Sequence, residues 1–325
     1  VHADSFCGLG YTYSSRAAAV LIQDIILPLI EHGDPMAIER HWDRMTRAIR
    51  NLGRPGISSM AIAAVDAALW DLKARLLNLP LAALLGKVRD AIPIYGSGGF
   101  TSYSDSELAE QLSGWAAQGI KRVKMKIGRD PARDEARVRI AREVIGPAVD
   151  LFVDANGAYS RKQALDFCAR FAQLGVRWFE EPVSSDDLEG LRLIRDRADP
   201  GIDVAAGEYG FDPVYFRHML EAGAVDVLQA DATRCAGITG LQKVAALCES
   251  RSMPLSAHCA PALHLHPGCA MRSLRHLEYF HDHVRLENML FDGLPAPHDG
   301  NLQPDLSRPG SGLEFKHADA RKFRA

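Results

Sequence analysis

Seven ionisable residues, Lys126, Asp154, Glu180, Glu208, Asp231, His258 and Glu278, each close a short apolar run, at successive intervals of 28, 26, 28, 23, 27 and 20 residues. Asp154, Glu180 and Glu208 supply three carboxylates with no Cys or His among them. An oxygen-only set of this kind suits a hard cation, Mg2+ before others, held by the carboxylates together with water or substrate oxygens. One such acid alone could be a helix N-cap; three in register are better explained by a shared ligand. Lys124 and Lys126 alternate with Val123, Met125 and Ile127, which sends both ammonium groups to one strand face. Unless that doublet is a frayed and solvated strand end, crowding is expected to lower a lysine pKa and provide a general base near neutral pH. His258, with Asp231 ending the preceding run, reads as an imidazole held in one tautomer by a carboxylate and able to take or give a proton opposite the lysine. Glu278 would hydrogen-bond a developing oxyanion if it stays protonated, or serve as an ordinary ion-pair partner. Asn156 and Glu181 are supporting neighbours, Asn156 being also an expected substrate-binding position. His264, His266, His281 and His283 read as structural.

The runs that carry these residues are Pro93–Tyr95, Arg122–Ile127, Leu151–Val153, Val176–Phe179, Val204–Ala206, Val225–Leu228, Met253–Leu255 and Leu277–Tyr279, separated by amphipathic stretches of ten to fifteen residues. Eight strands alternating with helices imply parallel pairing, right-handed crossovers and a closed (β/α)8-type barrel. In such a barrel all C-terminal strand ends meet on one rim, so side chains scattered over more than 150 positions converge. Before this rhythm begins, the first ~90 residues read as helices after a strand-like opening. Ser14 or Ser15 caps the first helix, and Gly33 followed by Asp34-Pro35 separates it from the next. Ile62, Val65, Leu69, Leu72 and Leu76 form one apolar stripe on a third.

The 325 residues contain 38 Lys plus Arg and 41 Asp plus Glu, a formal charge of −3, with 47% hydrophobic residues. That composition excludes collagen, long disorder and a disulfide scaffold, and leaves no basic footprint for nucleic acid or an anionic membrane. Six cysteines without a C-x-x-C pair fit a reducing cytoplasm. The most apolar stretch, Ile25–Ile30, falls far short of the roughly 20 residues that span a bilayer. The expected partner is a small molecule.

Lys124-x-Lys126, Val153-Asp154-Ala155-Asn156-Gly157, Phe179-Glu180-Glu181-Pro182, Ala206-Gly207-Glu208, Gln229-Ala230-Asp231, Ser256-Ala257-His258 and His276-Leu277-Glu278 together resemble the enolase superfamily, within it the mandelate racemase subgroup. The helical segment Met60–Lys73 is similar to the link between that family's cap and barrel. The resemblance implies a modified TIM barrel, (β/α)7β, under an α+β capping domain. Its expected boundaries are 1–90 for the cap, with the family's first strands and mobile loop absent before Cys7–Tyr11, 91–300 for the barrel, and 301–325 for a tail returning to the cap. It further implies Asp154, Glu180 and Glu208 as Mg2+ ligands, Lys126 as one acid/base and the His258–Asp231 dyad as the other. Lys124 and Glu278 are implied as partners of the substrate carboxylate. Tyr209, after the third ligand, departs from mandelate racemase itself, which has Asn there. The expected reaction is dehydration of a sugar acid, an aldonate or aldarate, to a 2-keto-3-deoxy acid, with 2-hydroxy-acid racemisation or epimerisation as the runner-up. A non-catalytic acid-sugar binder is the reading from another class, and homo-oligomerisation is a family-based expectation.

Overall fold

The computed structural model describes residues 1–323; positions 324 and 325, at the end of the expected tail, lie outside the described residues. Eight parallel strands close a barrel: β1 (Ile92–Gly98), β2 (Arg122–Lys126), β3 (Asp150–Asp154), β4 (Val176–Glu180), β5 (Asp203–Ala206), β6 (Val227–Ala230), β7 (Leu255–Ala257) and β8 (Leu274–Phe280). Each pairs with its sequence neighbour, and β8 returns to β1 with Glu278 opposite Tyr95. Every expected run lies on or within two residues of one of these strands.

Period-two alternation divides each strand between two environments. The outward set, including Val123, Met125, Val153, Phe179, Val204, Leu228 and Leu277, packs into the large core under the surrounding helices. The inward set is stacked in layers. Tyr95, Phe152, Trp178, Ala205 and Val227 make an aromatic plug, in which the Phe152 and Trp178 rings stack at 5.2 Å. Asp154 and Glu180 lie one inward position beyond Phe152 and Trp178 toward the C-terminal rim, Lys124 and Glu278 pair in register with Phe152 and Tyr95, and all four are fully buried. The plug thus forms a dry floor beneath the polar layer.

Over the rim lies the cap. Ser15 accepts from the Ala17 N–H to start a helical stretch over 16–30, which widens into a π turn at Ile22–Ile26 just before Pro28. Pro28 has no N–H to continue the i→i−4 ladder, a cause for the local change of pitch. Two further helices follow, α1 (Ile38–Ala48) and α2 (Ile57–Leu76). The single stripe expected on α2 is only half its story: 14 of its 20 residues are buried. Ile62, Val65 and Leu69 meet Ile26, Ile30 and Met45 in the cap, while Ala67 and Ala74 belong to the barrel-side core. Alanine on that face lets α2 approach α3 (Gly237–Ser250), where Asp66 accepts from the Thr239 N–H at 2.9 Å and hydroxyl at 2.6 Å. The opening is a two-residue antiparallel pair, His2–Ala3 with Phe6–Cys7.

After β8, α4 (His281–Leu290) leads into the last segment. Asn301–Leu302 pairs antiparallel with Ile92–Pro93, and Glu314–Phe315 with Phe291–Asp292. Ser311 donates to Asp71 through its N–H and hydroxyl, and Arg75 donates to Glu314, so this segment is tied to α2. Among the described residues no helix is long and apolar enough to cross a membrane.

Candidate active site

The backbone leaves its easy conformations where the strands deliver these side chains. Asn156, Glu181, Cys259 and Ala260 all have positive φ (44°, 39°, 52° and 39°), each one or two residues beyond Asp154, Glu180 or His258. Non-glycine residues in that region are uncommon and cluster where function demands a particular placement. Gly207 precedes Glu208 at φ 133°, and a Cβ there would lie 2.1 Å from the Gln229 carbonyl oxygen, so only glycine passes.

The three carboxylates converge. Asp154, Glu180 and Glu208 are buried, and one oxygen from each lies within 4.8 Å of the others. Lys124, fully buried, donates to Glu180 Oε1 at 2.5 Å and lies 2.9 Å from Glu278 and 3.4 Å from Asp154. Lys126 pairs with Asp154 and donates to Asn156 Oδ1 at 3.0 Å. Across the mouth, His258 Nδ1 meets Asp231 Oδ2 at 2.9 Å, leaving Nε2 3.3 Å from Glu208 and 3.8 Å from Glu278. All seven strand-end residues, with Lys124 and Asn156, therefore share one site.

Two electrostatic expectations are corrected. The lysines are pushed up, not down: burial favours their neutral forms, but the surrounding carboxylates together outweigh it, Glu180 and Glu278 foremost around Lys124, and Asp154 with Glu208 and Glu180 around Lys126. Glu278 is not kept protonated; burial raises it, yet Lys124 and His258 hold it well below the usual carboxylate range. It accepts from Ser97 Oγ at 2.6 Å and the Cys259 N–H at 2.9 Å. Asp154 is likewise held at about 2 by Lys126 and Lys124 against its burial, whereas burial and the neighbouring Asp154 push Glu180 up. Glu181 rises to about 9, from burial and then the charges of Glu208 and Asp154. Burial would lower His258, but Glu208, Glu278 and Asp231 together raise it.

The donor set fits a hard divalent cation. Its three donors are carboxylates that could hold an ion, and Glu208 Oε2 is buried without a hydrogen-bond partner, an orphan that a ligand would satisfy. Carboxylates that also neutralised a cation would hold the lysines up less strongly, which returns Lys126 toward the range of a base.

Residues outside the strand-end series complete the site. Arg234 donates to the Glu208 carbonyl at 3.1 Å, approaches Asp231 at 3.7 Å and lies over the Tyr209 ring. Trp178 donates from Nε1 to Glu180 Oε2 at 2.9 Å. Inward alternation two residues before Glu180 marks Trp178 in the sequence; nothing local marks Arg234 or Ser97. His264 accepts from the Ala232 N–H and braces the Asp231 loop, in keeping with its structural reading. Tyr13 of the cap stacks on His283 at 3.4 Å, bringing the cap to the imidazole flank. Cavities of about 540 Å³, lined by Asn156, Glu181 and Tyr209, and about 510 Å³, lined by Lys126 and Asn156, open beside the carboxylates.

Residues 3–86 match the mandelate racemase/muconate lactonizing enzyme N-terminal domain, and 107–320 the enolase C-terminal domain-like family. The chain belongs to the mandelate racemase/muconate lactonizing enzyme family. Within this family it is similar to a mandelate racemase/muconate lactonizing enzyme-like protein from Rubrobacter xylanophilus, with 54% identity and a TM-score of 0.96 over 99% of this chain and 89% of that one. An L-talarate dehydratase from Polaromonas sp. JS666, complexed with Mg and L-glucarate, is 34% identical with a TM-score of 0.88 over 97% of this chain and 84% of the other. A 3,6-anhydro-alpha-L-galactonate cycloisomerase from Streptomyces coelicolor is 33% identical over 317 residues, 95% of this chain and 86% of the relative.

Proposed function

We propose that this protein is a Mg2+-dependent hydro-lyase that dehydrates a sugar acid, an aldonate or aldarate, to a 2-keto-3-deoxy acid. In this reading residues 1–90 form the cap, 91–300 the catalytic barrel and 301–325 a returning tail. The observation that carries it is the placement of Lys126 and His258 on opposite flanks of a carboxylate cluster. Their strands, β2 and β7, are separated by β1 and β8 on one side and by the cluster-bearing β3–β5 together with β6 on the other. The dehydratase relative found with Mg and a sugar acid supports the same reading.

Asp154, Glu180 and Glu208 would hold the ion, which supplies Lewis-acid stabilisation of the substrate carboxylate as negative charge develops on it. The α-proton of a carboxylate is weakly acidic, so its removal needs such preorganised compensation. Lys124 adds a buried ammonium to that clamp, and Glu278 fixes Lys124 in place. One of Lys126 and His258 takes the α-proton to give an enediolate; the other protonates the β-hydroxyl, the C–O bond breaks and water leaves. The resulting enol tautomerises to the 2-keto acid. Asp231 accepts from His258 Nδ1 and so turns Nε2 toward the cavity.

The second reading is isomerisation, in which the opposite base returns a proton to the other face; the cycloisomerase relative favours keeping it. Incubation with Mg2+ and a panel of acid sugars, with semicarbazide detection of 2-keto acids, tests the proposal. Deuterium entering recovered substrate, with no keto acid from any compound, would replace dehydration by isomerisation. Neither signal from a broad panel would favour a binder.

A further inference from the structure

We propose that His258, Cys259 and Glu278 form a second metal site beside the carboxylate cluster, suited to a thiophilic divalent cation such as Zn2+, whose occupancy takes His258 out of proton transfer. Three donor types meet there. Cys259 Sγ lies 3.3 Å from His258 Nε2, which is 3.8 Å from Glu278 Oε2; the three residues are buried, and their donor atoms all lie within 4.8 Å of one another. Zn–S and Zn–N bonds of about 2.3 and 2.0 Å put tetrahedral ligands roughly 3.5 Å apart, the spacing seen here. Asp231 engages Nδ1, which leaves the Nε2 lone pair for the ion in a carboxylate–histidine–metal arrangement. Cys259 is held at φ 52° with its N–H on Glu278, so thiol and carboxylate are tied to one another by the backbone. Glu208 belongs to the carboxylate cluster, so the fourth position of this site is left to water.

Thiolate and imidazole select Zn2+ over Mg2+, just as the all-oxygen cluster selects the reverse. Binding forms an S–metal bond as the thiol proton leaves to solvent, and uses the neutral imidazole. With Nε2 coordinated, His258 has no lone pair for substrate. The blocking half of the proposal rests on His258 being a proton-transfer group; the binding half does not.

Cd2+ added to the full chain in saturating Mg2+ is the probe, read by the ultraviolet thiolate-to-cadmium band. The expected result is a band at one equivalent, removed by Zn2+, undisturbed by further Mg2+ and lost in Cys259→Ser, with Zn2+ inhibition of turnover weakened at least about tenfold in that variant. Cys7, 3.8 Å from His2 Nε2, is the competing thiol; Cys7→Ser should leave band and inhibition unchanged. No band, or one that follows Cys7, overturns the site. A band that follows Cys259 without any loss of turnover upholds the site and overturns the role of His258. Anomalous diffraction from Zn2+-soaked wild-type crystals decides the matter even if Cys259→Ser fails to fold: an ion among His258, Cys259 and Glu278 supports the proposal, and zinc found only elsewhere overturns it.

Discussion

On the β2 flank Lys126 leans directly on Asp154, one of the clustered carboxylates, whereas on the β7 flank His258 has a carboxylate of its own, Asp231, outside that cluster. Asp231 is in turn held by the Thr233 N–H at 2.7 Å and approached by Arg234. The lysine is therefore tuned by whatever charge the cluster carries, while the histidine has a dedicated partner and feels the cluster through Glu208. Proton affinity on the lysine flank should follow metal loading, whereas on the histidine flank it should follow Asp231 in addition to the charge carried by Glu208 and Glu278.

The largest expected effect comes from removing the cation. Exhaustive chelation should abolish turnover and Mg2+ should restore it, because without the cation the cluster's charge is compensated mainly by the two lysines; turnover that persists would remove the metal from the reaction. Next, Lys126→Ala and His258→Asn should each lower kcat by about 10²- to 10⁴-fold, while calorimetry still shows Mg2+ binding. Unchanged turnover in both would sink the base assignment. Asp231→Asn sharpens the comparison with a loss on the order of 10²-fold. Its carboxylate helps raise His258, so the His258 limb of the pH–rate profile should move to lower pH while the Lys126 limb stays. Movement of both limbs would show that the flanks are not separately tuned.

The smallest effect concerns stability at the cap–barrel contact. Burial raises Asp66 to about 7, opposed by its hydrogen bonds from Thr239, against an unfolded value of about 4. The folded state therefore binds a proton that the unfolded chain releases within that window. Stability should fall as pH rises from about 4 to about 7 and level off above it. Asp66→Asn should flatten that part of a Tm-against-pH curve; an unchanged slope would assign it to other groups.

Much of the site was legible because βα units impose a spacing: a polar residue closing each apolar run, repeated every 20 to 28 positions, is a linear trace of one rim. The lysine doublet was legible by period two, and His258 stood apart from the other histidines by its place in the series. Arg234 was not, since it reaches Glu208 and Asp231 from a loop with no periodicity of its own. Cys259 was not either; its meaning comes from a left-handed backbone that sets it against Glu278. On α2 the apolar stripe was visible while the buried alanine face was not, because a small residue announces close packing only once its neighbour is known.

Residue type and order alone determined the strand count, the inward positions and the chemical nature of the candidate donors, since these follow from local alternation and from what oxygen, nitrogen and sulfur donors bind. The tertiary structure decided the charge states. Lys126 by itself could have been a lysine lowered by burial; closure of the barrel gathered Asp154, Glu208 and Glu180 around it, and their summed Coulomb attraction outweighs the cost of desolvation that no one of them offsets alone.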